Sequence, residues 1–166
     1  MVIDHIGVVV SSLEEGIDQW RELFGYRTAS DIVVNSHQQV RVVFLAKPDS
    51  IAIKLVQPSA ADSPIAAFAR RGGGLHHICF RCDDLQLEVP LLKSKGARFV
   101  QPPRPGEAFN NKDIAFFLAK NNLNIELIDT AEKTGWREPL PADRVPADDR
   151  SATTCEQSSD AVTSHR

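Results

Sequence analysis

No stretch of this chain approaches the ~18 consecutive apolar residues that a membrane-spanning helix needs. Nor does it open on a basic-then-apolar leader, since MVIDHIGVVV reads directly as a strand. The three cysteines do not make a disulfide framework, which points to a reducing compartment and a cytoplasmic protein. There is no basic block and the net charge is −3, which argues against nucleic acid as the main partner. What remains is 166 residues, 42% hydrophobic and 25% charged, which suits one soluble domain with a proper core that handles something small.

The body of the chain is an internal repeat. His5 and His77 lie 72 apart (77 − 5), in DHIGVVV and HHICFRC. Each strand is followed by a helix signal. In SSLEEGIDQWRELFG, Ser12 with Glu15 makes a capping box, Gly25 supplies the stop, and Leu13, Ile17, Trp20 and Phe24 make the buried stripe. In DDLQLEVPLLKSKG, Leu85, Val89 and Leu92 fall 72 after Leu13, Ile17 and Trp20, Gly96 closes the helix, and Pro90 is an interior irregularity. VRVVFLAK is echoed by KDIAFFLAK, and IKLV (53–56) is echoed by IELI (125–128) at the same spacing of 72. The pattern predicts an α+β fold of two tandem βαβββ modules, about 2–58 and 74–130, whose mixed sheet curves round one cavity. A linking helix over about 63–71 joins them, with Ser63 as its N-cap and Pro64 at the first position. Residues 131–166 are rich in Pro, Asp, Ser and Thr and read as a flexible polar tail, in which Trp136 alone could dock onto the 1–130 domain.

Duplication brings equivalent strand positions of the two halves to one concavity. The inward residues of the first strands are then His5 and His77, each followed two places on by a small residue, Gly7 or Cys79. Those of the last strands are Lys54 and Glu126, again 72 apart (126 − 54). Strand alternation makes His76 the outward neighbour of His77. Two imidazoles and a carboxylate make a plausible divalent-metal site, and a buried Glu126 needs a cation, a metal or Lys54. CFRC has C-x-x-C spacing, but on a strand Cys79 and Cys82 face opposite ways. His37 reads as a loop histidine and His165 lies in the tail.

These modules resemble the vicinal oxygen chelate superfamily, the glyoxalase and bleomycin-resistance group, and within it the methylmalonyl-CoA epimerases. The likeness rests on IDHIGVVVSSLEEGIDQW, DSPIAAFARRGGGLHHICFRCDDL and IELID, and spans residues 2 to about 130. The resemblance implies an isomerase that epimerises a 2-substituted acyl-CoA thioester such as methylmalonyl-CoA. It would remove the proton next to the thioester and stabilise the enolate. It also implies a homodimer, an acyl-CoA partner, and a divalent ion, cobalt or manganese, held by His5, His77 and Glu126, with Glu126 as ligand or base.

The family's fourth ligand is Gln or Glu, where this chain has Lys54. A protonated lysine cannot ligate a metal. Either Lys54 is neutral and acts as a catalytic acid or base, or it swings away, or it is the counter-ion of Glu126 and the metal is absent. The rival expectations are a related lyase or isomerase on another small substrate, and a metal-free binding protein.

Overall fold

The computed structural model describes residues 1–138. β1 (Val2–Val9) buries every second residue from His5 onward, namely His5, Gly7 and Val9. It ends at Ser11 and Ser12, where the Ser12 hydroxyl accepts the Glu15 amide at 3.2 Å and starts α1 (Leu13–Phe24). Gly25, at φ 71°, stops α1 with its amide on the Arg21 carbonyl at 3.0 Å. Of the stripe expected on this helix, Leu13 is fully buried and Ile17 and Trp20 are half-buried. Phe24 is 49% exposed instead, because the helix ends there and its ring lies on Trp20 rather than on the sheet.

The first module continues through β2 (Arg27–Thr28), β3 (Val33–Asn35), β4 (Val40–Ala46) and β5 (Ala52–Pro58). The second runs β6 (Gly74–Arg81), α3 (Leu85–Ser94), β7 (Arg98–Gly106), β8 (Lys112–Leu118) and β9 (Asn124–Ile128). β2 and β3 both pair with β4, and together they occupy the edge that β7 occupies in the other half. Asp84 caps α3 by accepting the amides of Gln86 and Leu87. Pro90 sits within α3 on its exposed side, with Gln86, whose carbonyl loses a partner, also exposed, so water can replace the missing bond.

The linker differs from its expected form. The helix between the modules, α2, covers only Ala66–Arg70, and its N-cap is Ile65 with no side-chain bond. Ser63 contributes its carbonyl, which accepts the Ala66 amide at 2.9 Å, while its hydroxyl is buried without a partner. Gly73 follows at φ 65°, and its α-carbon lies so close to the Val9 carbonyl that a side chain would strike backbone.

The strands form one curved sheet in the order β2-β4-β5-β1-β6-β9-β8-β7, with β1 antiparallel to β6 at its centre. β1 is parallel to β5, and β6 to β9, so the halves are related by a pseudo-twofold between β1 and β6. Alternation then divides the side chains between the two faces of the sheet. Val43, Leu45, Ile53 and Leu55 pack against Leu13 of α1, and Ala115, Phe117 and Leu127 against Leu85 of α3. The opposite, inner face carries Val42, Phe44, Val56, Ile114 and Ile128, with Phe109 from the turn before β8. Residues 131–138 cross this face. The Arg137 amide bonds the Ala29 carbonyl at 2.7 Å, the Thr134 amide bonds that of Ala108, and Trp136 meets the edge of Phe44. The rest of the expected tail, with His165, lies outside the described residues. Among the described residues no helix is long and apolar enough to cross a membrane.

Candidate active site

Four buried polar side chains meet on the inner face, one from each of the four central strands. His5 (β1), Lys54 (β5), His77 (β6) and Glu126 (β9) are all at most 3% exposed. Lys54 Nζ donates to both carboxylate oxygens of Glu126, at 3.0 and 3.2 Å. The Nε2 atoms of His5 and His77 lie 2.9 and 3.1 Å from Glu126 Oε2. Both are close enough to bond but misaligned, so each Nε2 is a buried atom without a hydrogen-bond partner. The structure thus brings together every site residue expected from the repeat.

It does not keep His76 on the opposite face. The pairing of β1 with β6 shifts register twice, between Ile3 and His5 and between Gly7 and Val8. Asp4 is the unpaired residue of the first shift and His76 of the second, because Gly7 pairs with His77 while Val8 pairs with Leu75. A bulge of this kind re-aims a side chain that strict alternation would send elsewhere. Asp4 and His76 are themselves 72 apart (76 − 4), so the irregularity is duplicated with the module. Each bulged residue reaches the Nδ1 of the histidine after it. Asp4 Oδ1 accepts from His5 Nδ1 at 2.9 Å, and the Nδ1 atoms of His76 and His77 are 2.8 Å apart. The Asp4 carboxylate can only accept, which puts the His5 proton on Nδ1, and each neighbour fixes the direction of the ring it touches.

Burial would raise the Glu126 carboxyl, but the Lys54 charge outweighs it and holds that group well below the ordinary carboxylate range. Burial lowers His77 to about 4 against the upward pull of Glu126, so its ring is neutral at pH 7. His76 is lowered by the same cause. For Asp4, burial raises the pKa, but its bond to His5 and the nearby Lys133 ammonium bring it below normal. Lys133 closes on Asp4 at 2.9 Å, which ties the segment after β9 to the residue that orients His5.

Above the cluster opens a cavity of about 350 Å³, in the size range of small-molecule sites. His37, Lys54, His76, His77, Arg104 and Phe116 are among its lining. His37 is therefore more than a loop histidine, since the 3-10 turn Ser36–Gln38 sets it at this cavity. The sequence held a signal for His76, the duplicated D-H and H-H pairs, which strand alternation alone could not use.

The donor set can be tested against a divalent ion. His5, His77 and Glu126 offer three ligand atoms within 4.8 Å of one another. A second grouping, Asp4, His5 and Cys79, shares His5, and burial pushes the Cys79 thiol well up, which keeps it protonated. The three atoms of the first group would suit an ion by themselves. With Lys54 bonded to the same carboxylate they do not, because an ammonium has no lone pair to give and repels a cation.

A family model described as "Glyoxalase/Bleomycin resistance protein/Dioxygenase superfamily" matches residues 4–116. The chain belongs to that superfamily. It is 30% identical over 129 residues to the "Ethylmalonyl-CoA/methylmalonyl-CoA epimerase" of Cereibacter sphaeroides, which spans 75% of this chain and 95% of that one. The crystal structure of methylmalonyl-CoA epimerase from Mycobacterium tuberculosis matches with a TM-score of 0.68 at 31% identity, covering 77% of this chain and 87% of that one. A methylmalonyl-CoA epimerase in complex with methylmalonyl-CoA and NH4+ matches with a TM-score of 0.68 at 27% identity, covering 80% and 97%. The expected superfamily and fold are borne out, and the relatives within the superfamily are an isomerase family.

Proposed function

We propose that this protein epimerises a 2-substituted acyl-CoA thioester such as methylmalonyl-CoA, by removing and returning the proton next to the thioester carbonyl. The observation that carries this is the buried ammonium–carboxylate pair of Lys54 and Glu126, flanked by imidazoles, at a cavity of small-molecule size. Proton removal there leaves negative charge on the thioester oxygen, and a cation fixed in a water-poor site stabilises that charge without reorganising. Lys54 supplies the cation. Glu126, held far below its usual pKa, is too weak a base to take a carbon-bound proton and serves to anchor the lysine.

Epimerisation needs proton transfer at two faces of one carbon. His37 from the first module and His76 from the second both line the cavity, and they are the groups we assign to it. The epimerase relatives and the solved complex with methylmalonyl-CoA support the substrate class. Cytoplasmic placement and a homodimer belong to the same proposal. No step is routed through a divalent ion, because the set that includes Lys54 does not fit one.

The deciding measurement is solvent deuterium exchange into methylmalonyl-CoA. Deuterium should enter at C2 at a rate proportional to enzyme, and both epimers should form from either one. Tight binding of the substrate without exchange would make the protein a binder and end the proposal.

His76→Ala should cost about 10²–10⁴-fold in that exchange, the range for losing a side chain that transfers the proton. The fold should hold, and His76→Asn, which keeps a polar contact to His77 but cannot transfer a proton, should recover little of the loss. Nitrogen-15 shifts of the His77 ring supply a second readout. They should report one fixed tautomer in the parent protein and a mixture in His76→Ala. An unchanged rate and an unchanged tautomer would show that the bulge orients nothing.

A further inference from the structure

The two positions related by the pseudo-twofold on the last strands of the modules carry opposite charges. Lys54 and Glu126 therefore neutralise each other across the centre of the sheet. Two aromatic faces line the lysine's other side, Phe109 at 4.8 Å and Phe44 at 5.8 Å from Nζ, and both attract an ammonium. Nζ is thus fixed by a carboxylate on one side and ring faces on the other, 2% exposed, between donors that would otherwise converge on an ion.

We infer that the Lys54 ammonium stands in place of a divalent metal, so that this protein is a metal-independent member of its superfamily in which a tethered cation meets the substrate. An ammonium carries three N–H donors. The Glu126 oxygens take at most two of them, and Lys54 lines the cavity, so one donor remains to bond the thioester oxygen and the enolate oxygen that forms from it. No bond to Lys54 is made or broken. The proton leaves carbon for an imidazole, the electron pair moves onto oxygen, and the positive charge that receives it is already in place. A divalent ion added to this arrangement would put two more positive charges into a buried cluster with one carboxylate, which is the physical reason for exclusion.

The substrate half of this inference rests on the proposed function, whereas the metal half does not, and the experiment separates them. The full chain is treated with EDTA, dialysed, and titrated with Mn²⁺, whose bound and free forms are read by electron paramagnetic resonance. The parent protein should bind no stoichiometric Mn²⁺. Lys54→Gln, which restores a neutral oxygen donor, should bind one equivalent more tightly by at least about thirtyfold, the least expected from removing a unit charge ~4 Å from a divalent ion. EDTA-treated parent protein should still exchange deuterium at C2.

One equivalent of Mn²⁺ in the parent, lost in His5→Ala, would overturn the inference. So would exchange that appears only when Mn²⁺ is added, or a Lys54→Gln variant with parental circular dichroism that binds Mn²⁺ no better than the parent. Absence of exchange under every condition would instead sink the proposed function, and the Mn²⁺ titration would still decide what occupies the site.

Discussion

Glu126→Ala should lower the stability of the protein by about 3–5 kcal/mol, the range for removing one partner of a buried ion pair. The cost arises from what stays behind. Lys54 would remain at 2% exposure with no anion within reach, facing two aromatic rings and two imidazoles. It must then lose its proton, draw in water, or pull its strand open. Guanidinium unfolding followed by circular dichroism measures the loss, and deuterium exchange should vanish with it. The double variant Lys54→Met/Glu126→Leu should regain most of the stability and none of the exchange, because an apolar pair of similar size satisfies the packing without the charge. A Glu126→Ala protein as stable as the parent would mean that the two groups are not paired in solution.

The same carboxylate gives this comparison a pH signature. Its folded pKa is depressed, so its contribution to stability is complete above the ordinary carboxylate value and is lost as pH falls through the folded one. If Lys54 keeps its proton in Glu126→Ala, the stability gap between the parent and that variant should therefore be constant from pH 7 down to about 4.5 and narrow only below it, whereas a gap that widens between pH 7 and about 4.5 marks a lysine that has lost it.

Much of this arrangement was legible because duplication makes one half of the chain a ruler for the other. The spacing of 72 places β1 on β6, β4 on β8 and β5 on β9, and by itself brings His5, Lys54, His77 and Glu126 to one face. What it could not show was the local departures from ideal geometry. Strand alternation assigned His76 to the wrong side because alternation presumes an unbroken ladder, and a bulge is a property of the pair of strands rather than of either one. The linker helix was overextended for a similar reason. Ser63 and Pro64 carry good starting chemistry, but the chain there first makes a turn, and the helix begins at Ala66. The charge of Lys54 alone does not say whether its long side chain stays in the site or leaves it. The rings of Phe44 and Phe109 decide it, the first from the facing position on β4 and the second from the turn before β8, far from Lys54 in sequence.

Gly7→Ala should abolish exchange, at least about a hundredfold, although it adds one methyl group and touches no charged residue. Gly7 pairs with His77 across the central strands, and a β-carbon built on Gly7 would fall on the His77 ring itself, at Cε1 and both nitrogens. Its backbone is ordinary for a strand, so alanine brings no conformational strain and should even reduce the entropy lost on folding. The damage is therefore steric and local. The imidazole must rotate off the strand, which takes Nε2 away from Glu126 and Nδ1 away from His76. Forcing a methyl group into a filled site should cost about 1–3 kcal/mol in stability. The double variant Gly7→Ala/His77→Ala discriminates between clash and general disruption. With the ring gone the added methyl has room, so the double variant should be more stable than Gly7→Ala alone while remaining inactive. If the second substitution instead lowers stability further, the ring does not lie over Gly7, and the close approach of the two central strands is not what aims His77 into the site.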